Sequence, residues 1–178
     1  MEKNKIKLLA VDPGTKHMGF AAFEGIELVD YGVKTIRQGS EEIILQHLEE
    51  IISRLLKEKT PDYLALERNT FSQIKQNVRL TLAISKMKYI AKRFGVLIYE
   101  YDPRTIRKEI CNDGNSSKMR VAQTLIVSFD ELKVLLQSDK AWVLRYNLNV
   151  LDAVAVGMTF IRQNISSTRS SRNWLLAR

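Results

Sequence analysis

At 178 residues, with 45% apolar side chains and no low-complexity tract, the chain has the length and core material of one globular domain. No run approaches the roughly 20 uncharged apolar residues of a membrane span, and the opening MEKNKIK lacks the apolar segment of a secretory signal, so a soluble, cytoplasmic protein is expected. One cysteine, Cys111, and two scattered histidines, His17 and His47, exclude an internal disulfide and a zinc-type cluster, so any metal here takes oxygen ligands.

The formal charge of +8 is informative through its placement. Between Arg68 and Tyr99 there is no acidic residue, yet Lys75, Arg79, Lys86, Lys88, Lys92 and Arg93 fall there. After Asp152 there is again no acid, while Arg162, Arg169, Arg172 and Arg178 follow. Two acid-free basic segments point to a polyanionic partner, nucleic acid before an anionic membrane surface, because neither segment shows the bulky apolar face of an interfacial helix.

In chain order, residues 6 to 11, 18 to 23 and 28 to 36 read as a three-strand meander, with turn signals at Asp12 to Gly14 and at Glu24 to Gly25. Ser40 is a candidate cap for a helix whose apolar residues, Ile43, Ile44, Leu48, Ile51, Ile52, Leu55 and Leu56, recur at three- and four-residue spacing until Pro61. A buried strand, YLALE, ends in Glu67. A long helix is predicted over about 72 to 93, closing at Gly95, with Met87, Tyr89 and Ile90 as core or dimer-interface residues, and then a strand, VLIYEY. A short helix over 104 to 110, the loop NDGNSS, a helix capped by Ser117 and running to about Ser128, and a last helix over 148 to 163 complete the pattern. The expected fold is a mixed five-stranded α/β sheet, an antiparallel meander followed by parallel strands, with helices on both faces. Residues 1 to 165 form the domain, and the basic, serine-rich stretch 166 to 178 is expected to be loosely ordered.

In such sheets the chemistry gathers where strand ends meet. Asp12 ends the first strand within LLAVDPGTKHMGFAAFE, and Glu67 ends the fourth. Taken singly, Asp12 in Asp-Pro-Gly also reads as ordinary turn chemistry. The third acid is Asp152 in NLNVLDAVAVGMTF, the sole charge between Arg145 and Arg162 on an otherwise apolar helix, where an unpaired aspartate is costly to bury. Asn149 lies one turn earlier on the same face. Three converging carboxylates repel unless a divalent cation neutralises them, and all-oxygen ligation suits Mg²⁺ or Mn²⁺. On a phosphodiester, two such ions about 4 Å apart activate water and stabilise the leaving 3′ oxygen.

These motifs resemble the RuvC-type Holliday junction resolvases of the RNase H-like superfamily. VDPGTKHMGFA resembles the family's first-strand motif, PDYLALE its fourth strand with the catalytic glutamate, NVLDAVAVG its C-terminal helix motif, and YEYDPRTIRKEICNDGNSSKMRVAQ the segment after its fifth strand. The resemblance implies that Asp12, Glu67 and Asp152 bind Mg²⁺ (or Mn²⁺), two ions per site, and that Lys118 supports chemistry at the scissile phosphate. It further implies a homodimer that nicks opposed strands of four-way or branched DNA symmetrically, leaving 5′-phosphate and 3′-hydroxyl ends. A branch-migration motor is a candidate partner, and nucleoid association is expected.

Two departures from the family pattern stand out. Asn149 occupies a position that usually carries Asp or His, and an amide ligates a hard cation more weakly than a carboxylate. Arg107 falls where lysine is common, retaining charge but suited to clamping phosphate. Phe71 is either a wedge that unstacks a base near the junction centre or a core aromatic. With Phe71, the expected DNA contacts are Lys75, Arg79, Arg104, Arg107, Lys108 and Lys118. His17 could meet DNA or be a plain surface histidine, and Cys111 has no assigned role. Two other readings stay open: an RNase H-like nuclease that processes RNA precursors, and a catalytically weak protein that binds branched DNA.

Overall fold

β1 (Lys7–Asp12), β2 (His17–Glu24) and β3 (Glu27–Thr35) form the expected antiparallel meander, with Gly25 supplying the positive φ of +64° in its second turn. β4 (Tyr63–Glu67) and β5 (Leu97–Tyr101) add in parallel on the other side of β1, giving the order β3-β2-β1-β4-β5. The structure, a computed structural model, describes residues 5–69 and 78–165. β1 is central because its middle is wholly apolar: Leu8, Leu9, Ala10 and Val11 are each at most 1% exposed, a run suited to a strand covered on both faces.

The alternation of β1 divides the core. Leu9 and Val11, with Met18, Phe20, Leu64 and Leu66, face α1 (Glu41–Lys59) and α2 (Val78–Arg93). Ser40 caps α1 by accepting from the Ile43 amide, Glu41 and Glu42 lie at its positive end, and Thr60 closes it in the left-handed region just before Pro61. Leu48 and Ile52 are fully buried beneath it, each worth about 1.5–3 kcal/mol of transfer free energy. On α2, Met87 and Ile90 are buried, whereas Tyr89 is exposed.

Leu8, Ala10, Ala21, Phe23 and Ala65 face the other way, against α3 (Pro103–Cys111), α4 (Lys118–Ser128) and α5 (Ala141–Phe160). α5 lies very close to the sheet. A Cβ added to Gly157 would stand 2.3 Å from the Phe23 ring, and one added to Gly19 would stand 1.8 Å from the Asn149 carbonyl oxygen.

The last helix differs from expectation. It starts at Ala141 and ends at Phe160, followed by a π-helical turn (Ile161–Ile165), and a 3₁₀ helix (Asp130–Leu136) precedes it. Its start carries no side-chain cap on the amides, since Lys140 occupies the capping position, so the usual sequence mark of a helix N-terminus is missing. The stretch 166–178 lies outside the described residues.

Candidate active site

The strand period determines which side chains share a face. On β1, Asp12 continues the Leu8 and Ala10 side, and on β4, Glu67 continues the Tyr63 and Ala65 side, both toward α5. The parallel register pairs Ala10 with Ala65 and Val11 with Leu66, and one further step sets Asp12 beside Glu67. Across β2, Asp12 pairs with Gly19. The missing side chain at Gly19 admits the backbone of α5 at Asn149, one turn before Asp152.

Electrostatics show that the three acids sense one another. Burial first, then the charges of Asp152 and Glu67, hold the Asp12 carboxyl well above the ordinary carboxylate range, against the lowering pull of Lys118. Burial and then Asp152 raise Glu67, opposed by Lys118 and Arg107. Lys118, at the first position of α4, places Nζ 2.6 Å from Oδ2 of Asp152. Partial burial disfavours this ammonium, yet the attraction of Asp152, Asp12 and Glu67 outweighs it and the lysine's pKa is raised.

Glu67, Arg107, Lys118 and Asp152 line a small cleft open to solvent, completed by Pro103, Ile106, Val121 and Ala155. The apolar wall was not legible as such, because Ile106 and Val121 follow the same helical spacing as core residues. Arg107 is positioned through the start of α3. Asp102 caps that helix by accepting from the Arg104 amide at 3.1 Å and also pairs with Arg68, 3.4 Å away and next to Glu67.

The remaining expected residues fall as follows. The Asn149 amide nitrogen donates to the Tyr146 carbonyl at 2.9 Å, so its NH₂ group is turned back along α5. Arg104 is exposed and donates to Asn115 Oδ1 at 3.4 Å, Lys108 is exposed in the last turn of α3, and Arg79 is exposed at the start of α2. Phe71 and Lys75 lie outside the described residues. Cys111 Sγ contacts Thr124 Oγ1 at 3.5 Å.

Among the described residues, no three His, Cys, Asp or Glu side chains form a closed metal cage, and the cation that meets Asp152 is the Lys118 ammonium. The donor set nevertheless suits a hard divalent cation. It consists of carboxylate oxygens only, and their mutual repulsion at a buried strand end is incompletely offset by Lys118 and Arg107.

The fold and the site together define an RNase H-like α/β protein with acids at the ends of β1 and β4 and on the last long helix. A sequence profile of the family "Crossover junction endodeoxyribonuclease RuvC" matches residues 8–160, and the chain belongs to that family. The family's members are metal-dependent nucleases. Similar proteins of that name include one from Akkermansia muciniphila, 28% identical over 163 residues, spanning 88% of this chain and 90% of the relative. Another, from Cytophaga hutchinsonii, is 35% identical over 150 residues, spanning 75% of this chain and 71% of the relative. Among solved structures, Thermus thermophilus RuvC in complex with a Holliday junction substrate has a TM-score of 0.71 at 19% identity, covering 91% of this chain and 97% of that one. The yeast mitochondrial Holliday junction resolvase Ydc2 has a TM-score of 0.67 at 14% identity, covering 89% of this chain and 78% of that one. These two likenesses bear on the fold.

Proposed function

We propose that the chain is a Holliday junction resolvase, an Mg²⁺-dependent endonuclease that makes paired, symmetric nicks in four-way or branched DNA. The observation that carries this reading is geometric: Asp12 and Glu67 end adjacent parallel strands on the side covered by α5, and Asp152 of α5 lines one cleft with Glu67 and meets Lys118. Family membership supports the same reaction class.

Asp12, Glu67 and Asp152 are the residues that would hold the metal, with Asn149 a fourth candidate one turn from Asp152. Two bound ions would supply activation of the attacking water and charge neutralisation at the leaving 3′ oxygen. The chain's own groups do the rest. Arg107, which lines the cleft together with Asp152, is suited to a bidentate grip on a non-bridging phosphate oxygen pair. Lys118 can turn from Asp152 to the scissile phosphate, where its ammonium opposes the charge that develops in the transition state. The apolar wall of Ile106, Val121 and Ala155 limits water around the reacting centre. Arg79, Arg104 and Lys108, with Lys75 and Phe71, are the proposed contacts to the flanking duplex and the junction centre.

A homodimer is the simplest assembly that presents one such site to each of two opposed strands, because the junction has twofold symmetry. Products would carry 5′-phosphate and 3′-hydroxyl ends. The test is cleavage of four-way junction, flap and RNA substrates of matched sequence in Mg²⁺ and in Mn²⁺. Paired nicks confined to branched DNA support the reading. Cleavage of RNA alone, or binding without cleavage in either metal, would overturn it.

A further inference from the structure

We propose that the exposed N-terminal half of α5 is a stacking platform for the DNA strand that leads away from the scissile phosphate, with Trp142 as its outer aromatic and Lys16, Lys140 and Arg145 as its phosphate contacts. This rests on the nuclease reading of the acid site, and adds a path by which a strand reaches it.

Trp142 is 67% exposed. An isolated exposed aromatic needs no explanation, but this one is in register with the site. Trp142, Arg145, Tyr146, Asn149 and Asp152 recur at three- and four-residue intervals and so share one face of α5. At a rise of about 1.5 Å per residue, Trp142 stands about 15 Å along the helix axis from Asp152, a reach of a few nucleotides. Between them the surface is also aromatic. The Tyr146 ring meets His17 edge-on, with centroids 5.2 Å apart and planes at 77°. His17 begins β2, directly after the loop that follows Asp12, and its Nδ1 lies 3.4 Å from Thr35 Oγ1. The face therefore runs from Trp142 through Tyr146 and His17 to the end of β1 that carries Asp12.

Charge supports a strand of nucleic acid as the occupant. Lys16, Lys140 and Arg145 are exposed, and none takes part in an ion pair among the described residues. Asp139, beside Lys140, is the acid that adjoins this rim. Bases stack on exposed aromatic rings whatever their sequence, while neighbouring cations track the backbone. An apolar partner surface would leave three unpaired cations facing it.

The test uses the full chain with Trp174→Phe, which leaves Trp142 as the remaining one of two tryptophans. Its emission is followed while a short single-stranded oligonucleotide, and separately a four-way junction, is added in EDTA. The expected result is quenching on binding, with Trp142→Ala weakening oligonucleotide affinity about tenfold and Trp142→Phe retaining most of it. The melting temperature should not move, because the side chain is largely outside the core. Emission unmoved at saturating DNA, or an alanine variant that binds within about twofold of its parent, would overturn the platform. So would a change in oligomeric state by light scattering with DNA affinity intact, which would make this face a protein interface. A parent chain that binds neither DNA would bring down the nuclease reading along with it.

Discussion

Lys118 Nζ and Asp152 Oδ2 stand 2.6 Å apart, joining the first residue of α4 to the middle of α5 across the mouth of the cleft. The contact gives one carboxylate of the site a counter-ion that belongs to the chain. A divalent cation held by Asp152 would compete with that ammonium, and a lysine so released would be free to meet a phosphate.

Lys118→Met should therefore separate metal binding from catalysis. Removing the competitor should tighten Mn²⁺ binding to the DNA-free protein several-fold by calorimetry, whereas cleavage should fall by about 10²-fold or more through loss of a charge aimed at the transition state. Because the Lys118 side chain is 59% exposed, the contact adds little to stability, no more than about 1 kcal/mol. Metal binding that weakens together with cleavage would mean that the lysine helps assemble the site.

Asp12 and Glu67 give a pH dependence to the metal-free fold. Their carboxyls are raised above ordinary values of 3.8 and 4.5, so the native state holds protons more tightly than the unfolded chain. The stability from this is fully present below those ordinary values and is lost as pH rises through the raised ones. Thermal melts in EDTA should accordingly decline from about pH 4 upward toward neutrality. Asp12→Asn should flatten that decline and raise the neutral-pH melting temperature, by about 2–4 °C for each kcal/mol of repulsion removed. Added Mg²⁺ should protect the parent and not the variant. A variant that melts lower than its parent at neutral pH in EDTA would contradict this.

Gly19 tests the seating of α5. A methyl group there would stand 1.8 Å from the Asn149 carbonyl oxygen, so Gly19→Ala must push α5 away from β1 and β2. Overpacking of this kind costs about 1–3 kcal/mol. Activity should drop more than stability, because the displaced segment carries both Asn149 and Asp152. Chemical denaturation alongside cleavage rates measures both effects, and an alanine variant with parental activity would show that α5 can shift without disturbing the site.

Asn149 is the proposed fourth ligand, and its amide would leave the site one negative charge short of a carboxylate there. With an amide in place of a carboxylate, activity should demand more Mg²⁺, and Mn²⁺ should restore it. Asn149→Asp should lower the Mg²⁺ concentration for half-maximal cleavage, and Asn149→Ala should raise it. Unchanged metal dependence in both variants would make Asn149 a helix residue whose role is its bond to the Tyr146 carbonyl.

Much of this was legible in the sequence because strand ends and caps follow local rules. The apolar middle of β1 suits a buried strand, Asp12 and Glu67 each close an apolar run, and Ser40 and Ser117 cap their helices with side-chain oxygens as their positions suggest, whereas the Asp102 cap emerges only in the structure. The start of α5 was set seven residues too late because Lys140 offers no capping bond and the following AWVLRYN mixes polar and apolar residues. The Lys118 to Asp152 contact spans 34 residues, and the apolar cleft wall comes from three separate helices. Such long-range relations leave no local signature. The same late start hid Trp142, which the helix carries onto the Asp152 face.

The measurement that bears most directly on the site is cleavage of a synthetic four-way junction by Asp12→Asn, Glu67→Gln and Asp152→Asn, taken beside junction affinity in EDTA. Each change removes a formal charge from the acid site with little change in shape. The expected result is loss of nicking on both strands with affinity preserved, since none of the three groups attracts DNA. Affinity that falls in step with cleavage, or cleavage that survives any one of the three substitutions, would contradict the assignment.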